Sequence, residues 1–233
     1  MARKRKAAVH AQMKADIKAA ARRQMQAHGT AGLTLRGIAR DLRITAPAIY
    51  HYFPSLDDLI TSLIVDAFQG LADAMEQAGR QVVSVHYGEK IKATMLAYRQ
   101  WAVTHPIDFQ LIYGNPIPGY HAPAEVTAPL ARQPFEWLGE LMVQAWHSKE
   151  LIIPAAYMLI PAGIQEHLEQ FRAQTDLPLA DEIIYLMVVG WSRSHGMVML
   201  ELFEHSQPVI GHPADFYEHE TETFLASLGL QLQ

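Results

Sequence analysis

The sequence predicts an all-α chain. It should fold as a small N-terminal domain of three helices holding a helix-turn-helix, then a larger C-terminal helical domain, about nine to ten helices in all. Three observations carry this. Apolar residues recur at three- and four-residue intervals along almost the whole chain. No stretch alternates with the two-residue period of a strand. Proline and glycine fall at the seams between periodic segments.

The elements follow in order. Val9, Met13, Ile17, Ala20, Ala21 and Met25 form one face of a first helix over about residues 7 to 28, closed by Gly29. Thr34 can cap a short helix whose apolar residues are Leu35, Ile38, Ala39 and Leu42. Arg43, Ile44 and Thr45 make a turn. Thr45 can cap a second short helix with Pro47 in its first turn, Ile49 and Phe53 pointing inward, and Pro54 ending it. Ser55 with Asp58 reads as a capping box that opens a long helix from Leu56 toward Gly79. Further helices are expected near 88 to 103, 106 to 113, 125 to 147, 154 to 172, 179 to 206 and 213 to 229. The segment from Tyr113 to Pro123 is a loop. The domains are expected at 1 to 54, with a basic tail over 1 to 8, and at 55 to 233.

Composition narrows the function classes. Half of the 233 residues are hydrophobic, enough for a substantial core. Cysteine is absent, which excludes disulfides, thiolate metal sites and thiol redox sensing, and suits a cytoplasmic setting. No apolar run follows the basic start, and the longest apolar run, residues 151 to 164, is short for a bilayer span and holds two prolines, so neither secretion nor a membrane is expected. The net charge of -5 hides an asymmetry. Residues 1 to 60 hold eleven Lys/Arg against four acids, and the rest eight against twenty. A basic head on an acidic body directs one end of the molecule toward phosphates.

Two short helices joined by a three-residue turn are a helix-turn-helix, whose second helix lies in a DNA major groove. Small residues at its start let the backbone approach base edges, and polar or aromatic residues reach bases and phosphates. Thr45, Ala46, Pro47, Ala48 and Tyr50 meet that demand. Residues 33 to 59, LTLRGIARDLRITAPAIYHYFPSLDDL, resemble the DNA-binding signature of the TetR family of repressors. The resemblance implies DNA contacts by Thr34, Arg36, Thr45, Ala46, Pro47, Tyr50, His51 and Tyr52. Two positions depart from the family pattern. Arg43 stands where the turn usually has glycine, so either the turn differs or Arg43 adds a phosphate contact. Leu56 replaces a usual lysine, a loss that Arg3, Lys4, Arg5 and Lys6 can offset.

The segments from Tyr98 to Gly114 and from Gly190 to Leu202, with Trp191, His195 and Gly196, resemble the WHG subgroup of the family's C-terminal domains. The helix near 181 to 206 is apolar nearly all round and so must be buried on two sides, one of which can pack on its own core and the other on a symmetry mate. In this family the last two helices build the homodimer. Two recognition helices about 34 Å apart then suit a palindromic double-stranded DNA operator. Tyr98, Trp101, Phe109, Tyr113, Trp137, Trp146, Trp191 and His195 are the candidates for binding a small apolar or aromatic effector, with Tyr157 beside them. The small Gly196 next to His195 is expected to permit close helix approach. Glu201, His205, His212 and His219 lack a tight ligand motif, so no metal and no cofactor is expected. Nucleotide loops, nucleophile elbows and paired metalloprotease histidines are absent, which argues against an enzyme. The reading is an effector-responsive repressor, with a constitutive DNA-binding regulator as the alternative.

Overall fold

A computed structural model describes residues 2–173 and 179–232. Among them there is no strand. The helices are α1 Ala2–His28, α2 Leu35–Asp41, α3 Ala46–Tyr50, α4 Leu56–Gln81, α5 Tyr87–Thr104, α6 Pro106–Tyr113, α7 Ala124–His147, α8 Ala155–Met158, α9 Ala162–Arg172, α10 Asp181–Leu202, α11 Gln207–Ile210 and α12 Pro213–Ser227, with a 3₁₀ turn at Thr30–Gly32. The described helices outnumber the nine to ten expected because Pro161 splits the segment near 154 to 172, and α11 is a separate turn after Leu202. The basic start is helical and not a tail, since Ala2 to Lys6 are good helix formers with no glycine or proline among them.

The chain forms two compact units, residues 1–69 with 105–131, and residues 70–104 with 132–233. These differ from the sequence division at residue 54, because the start of α4, all of α6 and the start of α7 pack with the N-terminal helices.

In the first unit, Ile17, Ala20, Ala21 and Met25 of α1, Ile38 of α2, Ile49 of α3 and Leu59, Ile60 and Leu63 of α4 make a closed core. This is the inward face expected from the sequence, except that Val9 is exposed. Ser55 caps α4, with the Asp58 amide donating to Ser55 Oγ at 3.0 Å, while the Asp58 carboxylate accepts the Ser55 hydroxyl at 2.6 Å. Two cations of α1 tie it to the rest of the unit. Lys18 Nζ meets Asp66 Oδ2 at 2.8 Å, and Arg22 Nε meets the nearly buried Asp108 at 2.8 Å.

In the second unit, Ile91 and Met95 of α5, Leu141 and Met142 of α7, Ile183, Leu186 and Met187 of α10, and Phe224 and Leu225 of α12 share one core. Gly79 does not end α4 as its composition suggested. The helix continues to Gln81, and a Cβ at Gly79 would fall 2.6 Å from Thr94 Oγ1 and 3.0 Å from Trp137 Nε1, so the glycine makes room for the indole.

Candidate functional site

The helix-turn-helix is built from caps. Thr34 is extended, and its Oγ1 accepts the Gly37 amide at 3.1 Å, which starts α2. α2 ends in a paired bond pattern, with the Ile44 amide donating to the Ala39 carbonyl at 3.0 Å and the Arg43 amide to the Arg40 carbonyl at 3.1 Å. That is the Schellman stop, and it places the residue after the cap in the left-handed region. Arg43 takes this position with φ 55°. The turn therefore keeps the conformation that glycine would adopt, at some backbone cost, and presents an exposed guanidinium. Thr45 is extended at the start of α3, but its side chain makes no capping bond. The expected side-chain cap is absent, which leaves an exposed hydroxyl at the front of the helix.

Around this turn Thr34, Arg36, Arg43, Thr45, Pro47, Tyr50 and His51 are exposed, and Ala46 and Tyr52 half-buried, while Ile49 on the opposite face is fully buried. Tyr52 leans on α1, its ring 4.7 Å from that of His10, and His51 stands 5.4 Å from Tyr52. Nothing in the sequence singles out His10, whose partners lie 41 and 42 positions away. Lys14 lies 5.5 Å from the Phe53 ring. The basic residues thus divide into two groups. Lys18 and Arg22 are committed to carboxylates inside the unit, and Lys4, Arg5, Lys6, Arg36, Arg40 and Arg43 are exposed.

The eight aromatic and histidine candidates do not converge. Phe109 and Tyr113 belong to the first unit, rings 5.2 Å apart, and burial pushes the Tyr113 hydroxyl up to about 12. The others belong to the second. The Tyr98 hydroxyl lies 2.9 Å from His195 Nδ1, and Trp191 stacks obliquely on His195 at 5.3 Å. Burial holds the His195 imidazole below its ordinary pKa. Trp101 packs on Gly70, Trp137 donates to Thr94 Oγ1 at 3.3 Å, and Trp146 is exposed beside His147. Tyr157 lies near Tyr185. Gly196 meets nothing within 4 Å of where a Cβ would sit, so the close approach expected there is not made inside one chain. Glu201 is held by Arg99 at 2.7 Å, and among the described residues no trio of His, Asp or Glu could hold a metal ion.

The first unit has a cavity of about 330 Å³ elsewhere. Ile64 and Phe68 of α4, Leu111 and Ile112 of α6, and Ile117 and Tyr120 of the following loop line it. Its wall carries a placed polar pair, Tyr120 hydroxyl to Thr61 Oγ1 at 2.8 Å. The signal for it in the sequence was the loop itself, rich in proline and glycine yet carrying Ile117 and Tyr120. The second unit has a shallow groove of about 460 Å³ that includes Trp146.

Comparison with known proteins agrees with this geometry. Residues 17–63 match the family described as bacterial regulatory proteins, tetR family, and residues 91–224 match the tetracyclin repressor-like C-terminal domain. HTH-type transcriptional regulators of Mycobacterium tuberculosis and Mycobacterium bovis are each 31% identical over 218 residues, covering 93% of this chain and 92% of theirs. Among solved structures, the regulatory protein SCO4313 is 28% identical with a TM-score of 0.77, covering 94% of this chain and 97% of its own. A Rhodococcus protein of unknown function shares the fold at 19% identity and a TM-score of 0.70, over 93% and 95% of the two chains. Regulators of this kind are not enzymes, and the chain belongs to the TetR family of DNA-binding transcriptional regulators.

Proposed function

We propose that the chain is a cytoplasmic homodimeric repressor that reads a palindromic operator with α3 and is released by a small apolar or aromatic effector. The observation that carries this is the arrangement around α3. Seven of the nine expected contact residues are exposed about one turn whose opposite face is core. In this reading Thr45, Ala46 and Pro47 let the helix backbone approach base edges, Tyr50 and Tyr52 reach the groove wall, and Arg36 and Arg43 hold phosphates. Arg43 then does both things that its place in the turn allows, adopting the glycine conformation and adding a cation.

Dimerisation through α10 and α12 is supported by an open stripe on α10. Val188 and Leu200 on α10 and Phe203 just beyond its end are each 48% exposed, and Ser192 and Gly196 leave room for a facing helix. α10 is also the one described helix long and apolar enough to cross a membrane. A buried inner face and a paired outer face account for that apolarity with no membrane involved. In this reading the effector occupies the cavity lined by α4 and α6. Leu59, Ile60 and Leu63 of α4 underlie the helix-turn-helix, and Ile64 and Phe68 of the same helix line the cavity, so occupancy and recognition-helix position share one rod within one unit. A preference of about 3 kcal/mol for the released state would give roughly hundredfold release.

Selection from a random duplex library with the full chain tests the reading. An inverted repeat should be recovered, and Tyr50→Ala should bind it about 1 to 3 kcal/mol more weakly with unchanged oligomeric state. Recovery of no sequence, or equal affinity of the variant, would overturn it. If an inverted repeat is bound but an Ala128→Phe variant that fills the cavity responds to compounds as the parent does, the protein is a DNA-binding regulator whose effector does not use this cavity.

A further inference from the structure

The second unit holds another cavity, of about 230 Å³, which the proposed effector release does not use. Its walls are Met95 of α5, Met197 of α10, and Phe216 and Phe224 of α12. An engineered apolar cavity of about 150 Å³ admits benzene, so this volume suits one ring with a small substituent.

Thr221 and Ser194 line the same cavity, and both hydroxyls are buried beneath its wall. Thr221 is 1% exposed, and its Oγ1 is buried without a hydrogen bond. Three other helical threonines of this chain return their hydroxyls to the carbonyl four residues back, Thr94 to Lys90 at 2.9 Å, Thr104 to Gln100 at 2.7 Å and Thr127 to Pro123 at 3.2 Å. Thr221 has the corresponding carbonyl, of Tyr217, in the same helix and does not use it. Ser194, 5% exposed, is similarly enclosed. Its hydroxyl lies within reach of the Tyr217 hydroxyl and partly offsets the upward push that burial gives that phenol, so Thr221 is the hydroxyl left without a partner. The Tyr217 hydroxyl itself donates to the Met95 carbonyl at 2.9 Å. A buried hydroxyl with no partner is costly, and natural proteins rarely keep one without a use. Arg193, with its guanidinium 5.0 Å from the Phe224 ring, and the half-exposed Glu220 complete the lining.

We propose that this cavity is a second small-molecule site, for a compact, mainly apolar molecule of about one ring bearing a single hydroxyl or carbonyl, whose oxygen is held by Thr221 and Ser194. The thioethers and rings supply apolar contact, and the two hydroxyls select for the polar atom.

Benzyl alcohol and its deoxy counterpart toluene are suitable probes, titrated into the full chain labelled with ¹³C at the methionine methyls. The Met95 and Met197 signals report this cavity directly, so a probe seated in the first unit's cavity is told apart. Both signals should shift saturably, with benzyl alcohol bound at least fivefold tighter than toluene. Thr221→Val should remove that preference while leaving toluene binding intact, Thr221→Ser should keep it, and Met197→Trp should abolish the Met95 shift with either probe. Thr221→Val loses only an unbonded hydroxyl, so it should melt no lower than the parent.

Three results would overturn the proposal. They are no saturable shift at Met95 and Met197 with either probe, which would leave hydration as the hydroxyls' only use, a preference unchanged in Thr221→Val, or shifts that follow protein concentration and not probe, which would mean a second copy fills the cavity.

Discussion

Arg43 sets backbone conformation against the phosphate contact proposed for it at a single position. A left-handed φ of 55° disfavours a residue with a Cβ. Arg43→Gly should therefore stabilise the chain by about 1 kcal/mol, read from the urea midpoint, while weakening operator binding. Equal stability would show that the turn relaxes away from this conformation. His195 bears on stability as well. The folded state holds its imidazole below the usual value, so the unfolded chain binds the proton more readily. That contribution to stability is complete above the ordinary histidine range and is lost as pH falls through about 6.5, until the folded group protonates as well. His195→Gln should thus lose less stability than the parent between pH 7.5 and 5.5. Parallel pH profiles would show that His195 protonates equally in both states.

At the scale of elements, α1 matters more than a simple scaffold helix would. Its middle is fastened by Lys18 to Asp66 and Arg22 to Asp108, its His10 packs on Tyr52, and its first turns present Lys4, Arg5 and Lys6 to solvent. A helix carries those cations in fixed directions, which a tail would not. Replacing all three by Gln should reduce the salt dependence of operator binding by about 0.9 in log–log slope for each phosphate left without its cation. An unaltered slope would place the start of α1 away from the duplex. Apolar spacing locates this helix well wherever its residues pack inward. Its start was misplaced because a run of cations looks the same in a coil as on a solvated helix.

For the whole molecule, the exposed apolar stripe on α10 is the feature most in need of a partner. Val188→Glu with Leu200→Glu should yield monomers in sedimentation equilibrium and lose most of the operator affinity, since one recognition helix alone binds weakly. A variant that stays dimeric would move the interface elsewhere. The candidate site was legible only in part at this scale. The residues proposed to face DNA are contiguous in the chain, and local caps and periodicity bring them together. The effector candidates were chosen for aromatic character, yet folding distributes them over two units and fills space with most of them.

The sequence by itself determined the helical class, the order of the long helices, the helix-turn-helix with its Thr34 cap and the outward set of residues around α3, because each depends on interactions within a few turns of chain. Only the tertiary structure decided that Lys18 and Arg22 neutralise carboxylates, that Gly79 admits an indole, and that the cavities are bounded by Tyr120 in one unit and Thr221 in the other. Those features arise where side chains distant in sequence meet, and empty space leaves no periodic mark on the residues around it.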